Sequence, residues 1–269
     1  ENHPNGAIIN FYIKESKETD TVALEIMEMD GTLIRKFSNV AKEDKLNPEA
    51  EKPLEVVAGG NRLIWDMRYP GYRTFKGMVF YSSPNVGPKV VPGDYKVSLN
   101  VNGAEQSQQF KIIPDPRSEA SVADMQKQYD FLTEVNATVN RAHESIEKIR
   151  GVNKQLDAFT KQYKGNEATK ELVEKAKAMK ESFGEIEKAL YQTQNQSNQD
   201  PLNFPIRLTN KLAHLNRISG FGDFPPTDQA IAVQKELTGK IETQLKSFDA
   251  MVDKELQDFN AAFNELKLN

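Results

Sequence analysis

Two hydrophobic periods divide the chain. Up to about residue 113, apolar positions alternate with polar ones in short runs; beyond it they recur at steps of three and four. Ala7 to Ile13 is a short run rich in Ile, Phe and Tyr. Thr21 to Met29 alternates, with Val22, Leu24 and Ile26 on one side, and Asp30-Gly31 supplies a tight turn into Leu33 to Phe37. Leu54 to Val57 is a further short candidate, followed by Arg62 to Met67. Gly93 to Val101 places Tyr95, Val97, Leu99 and Val101 on one face. Asn102-Gly103 then predicts a type I′ turn into Gln109 to Ile113. Six or seven short strands, each apolar on one face, predict an antiparallel β-sandwich.

The second half predicts long helices. Ser121 caps a stripe running Val122, Met125, Tyr129, Leu132, Val135, Val139, Ile146 and Ile149, which continues past Gly151, a candidate kink, to Leu156, Phe159 and Tyr163. Lys164-Gly165-Asn166 is the stop. Leu172, Ala176, Met179, Phe183, Ile186 and Leu190 form the next stripe, and Gln192 to Gln199 is a polar connection. A third helix is expected from about Leu202 to Ser219, with Leu208, Leu212, Leu215 and Ile218 as its face. Gly220 to Pro226 turns the chain, and Thr227 caps a last helix through Ile231, Leu237, Ile241, Leu245, Phe248, Val252, Phe259, Phe263 and Leu266. Such stripes also suit an intermolecular coiled coil. The breakers between them favour self-closure into an antiparallel four-helix bundle. The expected fold is therefore multidomain β + α, a sandwich over 1–117 and a helical bundle over 118–269.

Composition sharpens this division. Nine of the 15 glycines and nine of the 13 prolines precede residue 118, and Pro114-Asp115-Pro116-Arg117 reads as the hinge. With 35 basic against 39 acidic residues and a net charge of -4, a strongly cationic nucleic-acid binder is excluded. No run reaches the roughly 18 apolar residues of a membrane helix. The absence of cysteine removes thiolate chemistry and Cys-ligated metals. A start at Glu1 rather than Met is expected of a processed product or an excised piece, the two remaining open.

Catalytic signatures are sparse. His3, His143 and His214 are the only histidines, and no second histidine follows His143-Glu144 at zinc-motif spacing. His214 is expected at a surface or boundary, and His3 near a mobile terminus. There is no GxSxG elbow and no phosphate-binding loop. Asp66, Asp94 and Asp115 sit at strand ends, where Asp bonds turn backbone. Glu144, Glu147, Glu185 and Glu187 read as solvated helix charges interleaved with lysines. The reading is no enzyme, no metal and no cofactor. Paired carboxylates of a glycoside hydrolase fragment are the remote alternative.

The insertion from Tyr69 to Pro92 is the most unusual stretch, with Tyr69, Tyr72, Phe75, Phe80 and Tyr81 among Arg68, Arg73 and Lys76. It is either packed on its own scaffold or a binding face of Tyr69, Tyr72, Arg73 and Tyr81, with tyrosines as platforms for carbohydrate or a protein partner.

Gly60-Asn61-Arg62-Leu63-Ile64-Trp65-Asp66-Met67-Arg68-Tyr69-Pro70-Gly71 and Val91-Pro92-Gly93-Asp94-Tyr95-Lys96-Val97 carry a resemblance. With Pro4 to Tyr12, Leu24 to Arg35, Asp115-Pro116-Arg117 and Asp200 to Pro205, they resemble the C-terminal region of bacterial exported proteins with sortilin-type or BNR-repeat β-propellers, often labelled glycosyl-hydrolase-like. The β part also looks like the Ig-like domain of flagellar hook-capping proteins. The resemblance implies an Ig-like sandwich with Trp65 in its core, Asp66 tying the next turn and Gly93 leading into Tyr95. It implies an extracytoplasmic, non-catalytic module that packs against or orients an upstream β-propeller of the same parent chain. Any hydrolytic site would lie in that propeller.

Overall fold

A computed structural model describes residues 4–40 and 53–266; His3 lies outside them. The described residues form two antiparallel sheets of six strands in total, followed by four helices. The strands are β1 (Ala7–Ile13), β2 (Val22–Glu28), β3 (Leu33–Ser38), β4 (Gly59–Trp65), β5 (Gly93–Val101) and β6 (Ala104–Ile112). β1 pairs with β4 alone, and the second sheet has the order β3-β2-β5-β6.

Both tight turns read from the sequence are present. Gly31 takes a φ of 93° between β2 and β3. Asn102 (φ 52°) and Gly103 (φ 90°) join β5 to β6 with Val101 opposite Ala104, the positive-φ pair that a two-residue hairpin needs. Leu54 to Val57 forms no strand. The strand expected from Arg62 to Met67 instead begins at Gly59 and ends at Trp65, because Met67 takes a φ of 57° that no strand accommodates.

The helices are α1 (Val122–Gln162), α2 (Lys170–Leu190), α3 (Leu208–Ser219) and α4 (Asp228–Ala250). A π-helical stretch, Met251–Leu256, carries α4 into α5 (Gln257–Glu265). α1 runs unbroken through Gly151, as the stripe continuing to Leu156 and Phe159 requires. α3 begins at Leu208 rather than near Leu202, because Pro201 opens a separate 3-10 turn, Asp200–Leu202. None of these helices is long and apolar enough to cross a membrane.

The chain divides into two compact units that interleave in sequence. One takes the chain up to Tyr72 together with Pro84–Glu134 and Ile218–Thr227. The other takes Arg73–Ser83, Val135–Arg217 and everything from Asp228 onward. The change from strand to helix falls at the Pro114–Arg117 stretch, yet the compact units exchange short pieces across it. The first turns of α1 go with the strands, and eleven residues of the long insertion go with the helices.

Within the first unit, Ile26, Ile34 and Tyr95 of one sheet and Trp65 of the other bury a common core with Val90. Trp65 is 1% exposed, meets Phe110 edge-on with centroids 6.3 Å apart, and donates from Nε1 to the Arg68 carbonyl at 3.1 Å. Its polar atom is thus satisfied where water is absent. Buried Gln128 of α1 donates to the carbonyls of Ser219 (2.9 Å) and Phe224 (3.0 Å), which holds the turn after α3 in this unit.

Within the second unit, Val139, Ile146, Ile149, Met179, Phe183, Leu190, Leu212, Ile241 and Phe248 are buried, as the three-and-four spacing requires. Phe183 faces Phe248 at 6.0 Å, and Phe159 meets Phe259 and Phe263 edge-on at 5.2 and 5.6 Å. Burying each such ring contributes about 1.5–3 kcal/mol. Three expected core positions face outward instead: Val122 and Ile218 of the first unit and Ile231 of the second are exposed, with Ala230 buried beside Ile231. Met251, not Val252, is buried, because the π-helical turn shifts the stripe by one position.

Candidate functional site

The long insertion is anchored at its base by close backbone approach. A Cβ on Gly71 would lie 2.0 Å from Asn85 Oδ1, and one on Gly87 would lie 1.9 Å from the Tyr69 carbonyl oxygen. Both positions therefore require glycine on steric grounds. Tyr69 N donates to the Pro88 carbonyl (3.0 Å), Val90 N to that of Met67 (2.9 Å), and Arg68 Nη1 to that of Gly87 (2.8 Å).

Of the four residues read as a binding face, Tyr69 and Tyr72 belong to the first unit, Arg73 and Tyr81 to the second. Tyr69 is half-buried. Its hydroxyl donates to Glu28, and its ring lies 5.0 Å from that of Tyr129. Burial first, then the bond to Glu28, pushes its pKa well above the usual phenol value. Burial likewise pushes Tyr95 up to about 12, and its hydroxyl donates to the Val91 carbonyl. These tyrosines line a cleft of about 350 Å³ with Tyr129, Glu28, Asp30 and Asp94. Tyr72 is 1% exposed, which corrects its reading as a stacking platform: neither face of a buried ring can receive a sugar.

In the second unit, Arg73–Ser83 has no strand or helix of its own, so its main-chain groups find partners on helical side chains. Asn140 Oδ1 accepts from Arg73 N at 2.6 Å, and Nδ1 of His143 donates to the Arg73 carbonyl. Tyr191 Oη accepts from Val79 N (2.9 Å), and Asn195 donates to the Val79 carbonyl (3.4 Å). Asn210 accepts from Tyr81 N (2.8 Å), donates to the Tyr81 carbonyl (3.0 Å) and donates to Ser83 Oγ (2.8 Å). A side-chain amide bonding both groups of one residue does for it what a neighbouring strand would do. His214 Nδ1 donates to the Ser82 carbonyl at 3.0 Å, and Arg217 bonds the Ser82 hydroxyl. Both bear on a residue whose φ is +53°. A non-glycine residue rarely holds that angle unless its surroundings impose it.

Side chains of the segment are tied down as well. Arg73 reaches Glu147 with Nη2 at 2.8 Å and Glu144 with Nη1 at 3.1 Å. Phe75 is 2% exposed, edge-on to His143 and to Tyr191 at 5.0 Å each, with the Arg150 guanidinium 4.5 Å from its centroid. Arg150 Nε donates to Glu187 at 2.7 Å. The expectation of solvated glutamates therefore needs correcting at Glu187, which is 9% exposed and paired, and at Glu147, largely covered where it holds Arg73; Glu144 also pairs with Arg73 but stays partly exposed to solvent. Tyr81 alone of the three proposed platforms is well exposed, at 47%.

His143 is fully buried. Burial foremost, and the Arg73 and Arg150 charges after it, lower its pKa to about 4 despite the bond to the Arg73 carbonyl. A neutral imidazole sealed between Phe75 and Phe80 is an anchor rather than a proton shuttle. It occupies a stripe position, four residues after Val139 and three before Ile146, and that spacing was the signal available in the sequence. Asn140, Asn195 and Asn210 carried no comparable signal.

A cavity of about 650 Å³ lies away from the insertion between the end of α1 and the start of α2, where lysines and acids alternate without converging. Among the described residues, no three His, Asp or Glu side chains gather to hold a metal ion. Asp66 accepts from Arg68 N (3.1 Å) and Asp115 from Arg117 N (2.9 Å), the turn-bonding role read for both. Comparison of the chain with protein-family models, curated proteins and solved structures finds no match.

Proposed function

We propose that the chain is a non-catalytic structural and interaction module, an Ig-like β-sandwich followed by an antiparallel four-helix bundle. It closes the C-terminal end of a larger exported β-propeller protein and packs against or orients that propeller. The observation that carries this reading is the fate of the most binding-like stretch. The polar groups and aromatics around Arg73–Ser83 are engaged in seating that segment, through Asn210, His143, Tyr191 and the Arg73 ion pairs. Ordered side chains committed to anchoring are what a positioning module requires.

The coding sequence upstream of Glu1 tests the proposal: propeller repeats behind a signal peptide are expected, and an upstream region with neither overturns it. Enzyme-like turnover by the isolated chain on a panel of glycosides and peptides would also overturn it.

A further inference from the structure

Gly60 lies inside β4 without a backbone reason to be glycine. Its neighbour Gly59 needs a φ of +100°, but Gly60 has no such angle, and a Cβ on it would meet nothing within 4 Å. Glycine inside a strand weakens it, and such a residue often marks the close approach of something from outside.

What stands opposite Gly60 is informative. The β1–β4 register pairs it with Tyr12, which is 70% exposed. The next rung on the same face pairs Asn10 with Arg62, both exposed, and Arg62 Nε donates to Asn10 Oδ1 at 3.1 Å. That bond aligns the two planar groups and leaves the Asn10 amide nitrogen and both terminal guanidinium nitrogens with donor capacity. Among the described residues Arg62 forms no ion pair. A shallow groove of about 520 Å³ runs over these two rungs. Beneath it, Asn61 accepts from Val57 N (2.9 Å) and donates to the carbonyls of Val57 (2.8 Å) and Gly59 (3.1 Å), pinning the bend that delivers Gly60 to its place.

We propose that this face of β1 and β4 binds an acidic glycan, with a pyranose ring lying on Tyr12 over Gly60 and a uronate carboxylate on Arg62. The missing side chain at 60 leaves the tyrosine ring uncovered, an aromatic face takes the C–H face of a sugar, and a guanidinium fork matches a carboxylate. Asn10 donates to a ring hydroxyl. The site is independent of any role toward a propeller.

Titration calorimetry of the full chain tests it, with tri-galacturonic acid as ligand and galactotriose as the neutral control. The acid is expected to bind about tenfold or more tighter than the control, a difference Arg62→Gln removes. Tyr12→Ala is expected to weaken binding by about tenfold or more, and Tyr12→Phe to retain it. Gly60→Val is the decisive variant. It covers the ring, so binding falls about tenfold or more, while the melting temperature holds or rises because valine suits a strand better than glycine. It also keeps the proposal testable should Tyr12→Ala fail to fold. No binding of the acid, equal binding of the neutral sugar, binding indifferent to Gly60→Val, or a Gly60→Val chain that melts lower would each overturn the assignment.

Discussion

The outward face of β1–β4 and the surroundings of the segment Arg73–Ser83 both carry tyrosine, arginine and asparagine, yet they use these residues in opposite ways. In the strands, the ladder pairs Asn10 with Arg62 and Tyr12 with Gly60 through the main chain, so the outward side chains are not needed to satisfy the backbone. The segment has no ladder. Several of its N–H and C=O groups are satisfied by Asn140, His143, Tyr191, Asn195 and Asn210, and those side chains are committed to the backbone of the segment. Which asparagines and tyrosines are free thus depends on how the backbone beside them is satisfied, not on the richness of the local sequence.

Substitutions can break this contrast. The largest effect is expected at Phe75→Ala, where removal of a buried ring from between His143, Tyr191 and Arg150 should cost about 3–5 kcal/mol, measured by urea denaturation. Acid should come next. His143 is held neutral with a pKa of about 4 against 6.5 in an unfolded chain, so the unfolded state binds the extra proton first. Its contribution is complete above about pH 6.5 and declines as pH falls toward 4, by up to about 3 kcal/mol. Denaturation midpoints between pH 4 and 7 would show this slope, and His143→Gln should flatten it. A midpoint unchanged across the window would remove His143 as the titrating anchor.

Asn210→Ala removes the side-chain bonds to Tyr81 N, the Tyr81 carbonyl and Ser83 Oγ and should cost about 1–3 kcal/mol. Faster amide exchange at Tyr81 would locate the loss, and unaltered exchange would contradict the clamp. The counter-example is Tyr12→Ala. With its ring in solvent and its backbone held by β4, it should change stability by less than about 0.5 kcal/mol in the same denaturation assay. A loss comparable to that of Asn210→Ala would erase the distinction between the two regions.

Much of the secondary structure was legible because it is written locally. Asn102-Gly103 and Asp30-Gly31 tolerate positive φ, and the alternation from Tyr95 to Val101 and the stripe from Leu172 to Leu190 hold one face each over several turns or rungs. The misses share a cause. Val252 was placed in the core because a regular stripe assumes a regular helix, and a π turn gives the position to Met251. Ile231 and Ile218 were expected inside because they stand in the apolar stripes of their helices, but what packs against a helix face decides which residues are covered. Tyr72 was read as a platform and is buried, whereas Tyr12 passed as one residue of an apolar run and is open to solvent.

Sequence alone determined the elements, their two periods, the tight turns and the change of character at Pro114–Arg117, since each depends on residues within a few positions of one another. Tertiary structure alone decided that Arg73–Ser83 joins the helical unit, that His143 is a neutral buried anchor, and that Gly60 leaves Tyr12 bare. Each of these depends on a partner at least 48 positions away, and satisfying a hydrogen bond or covering a ring is a matter of distance in space, which no local period encodes.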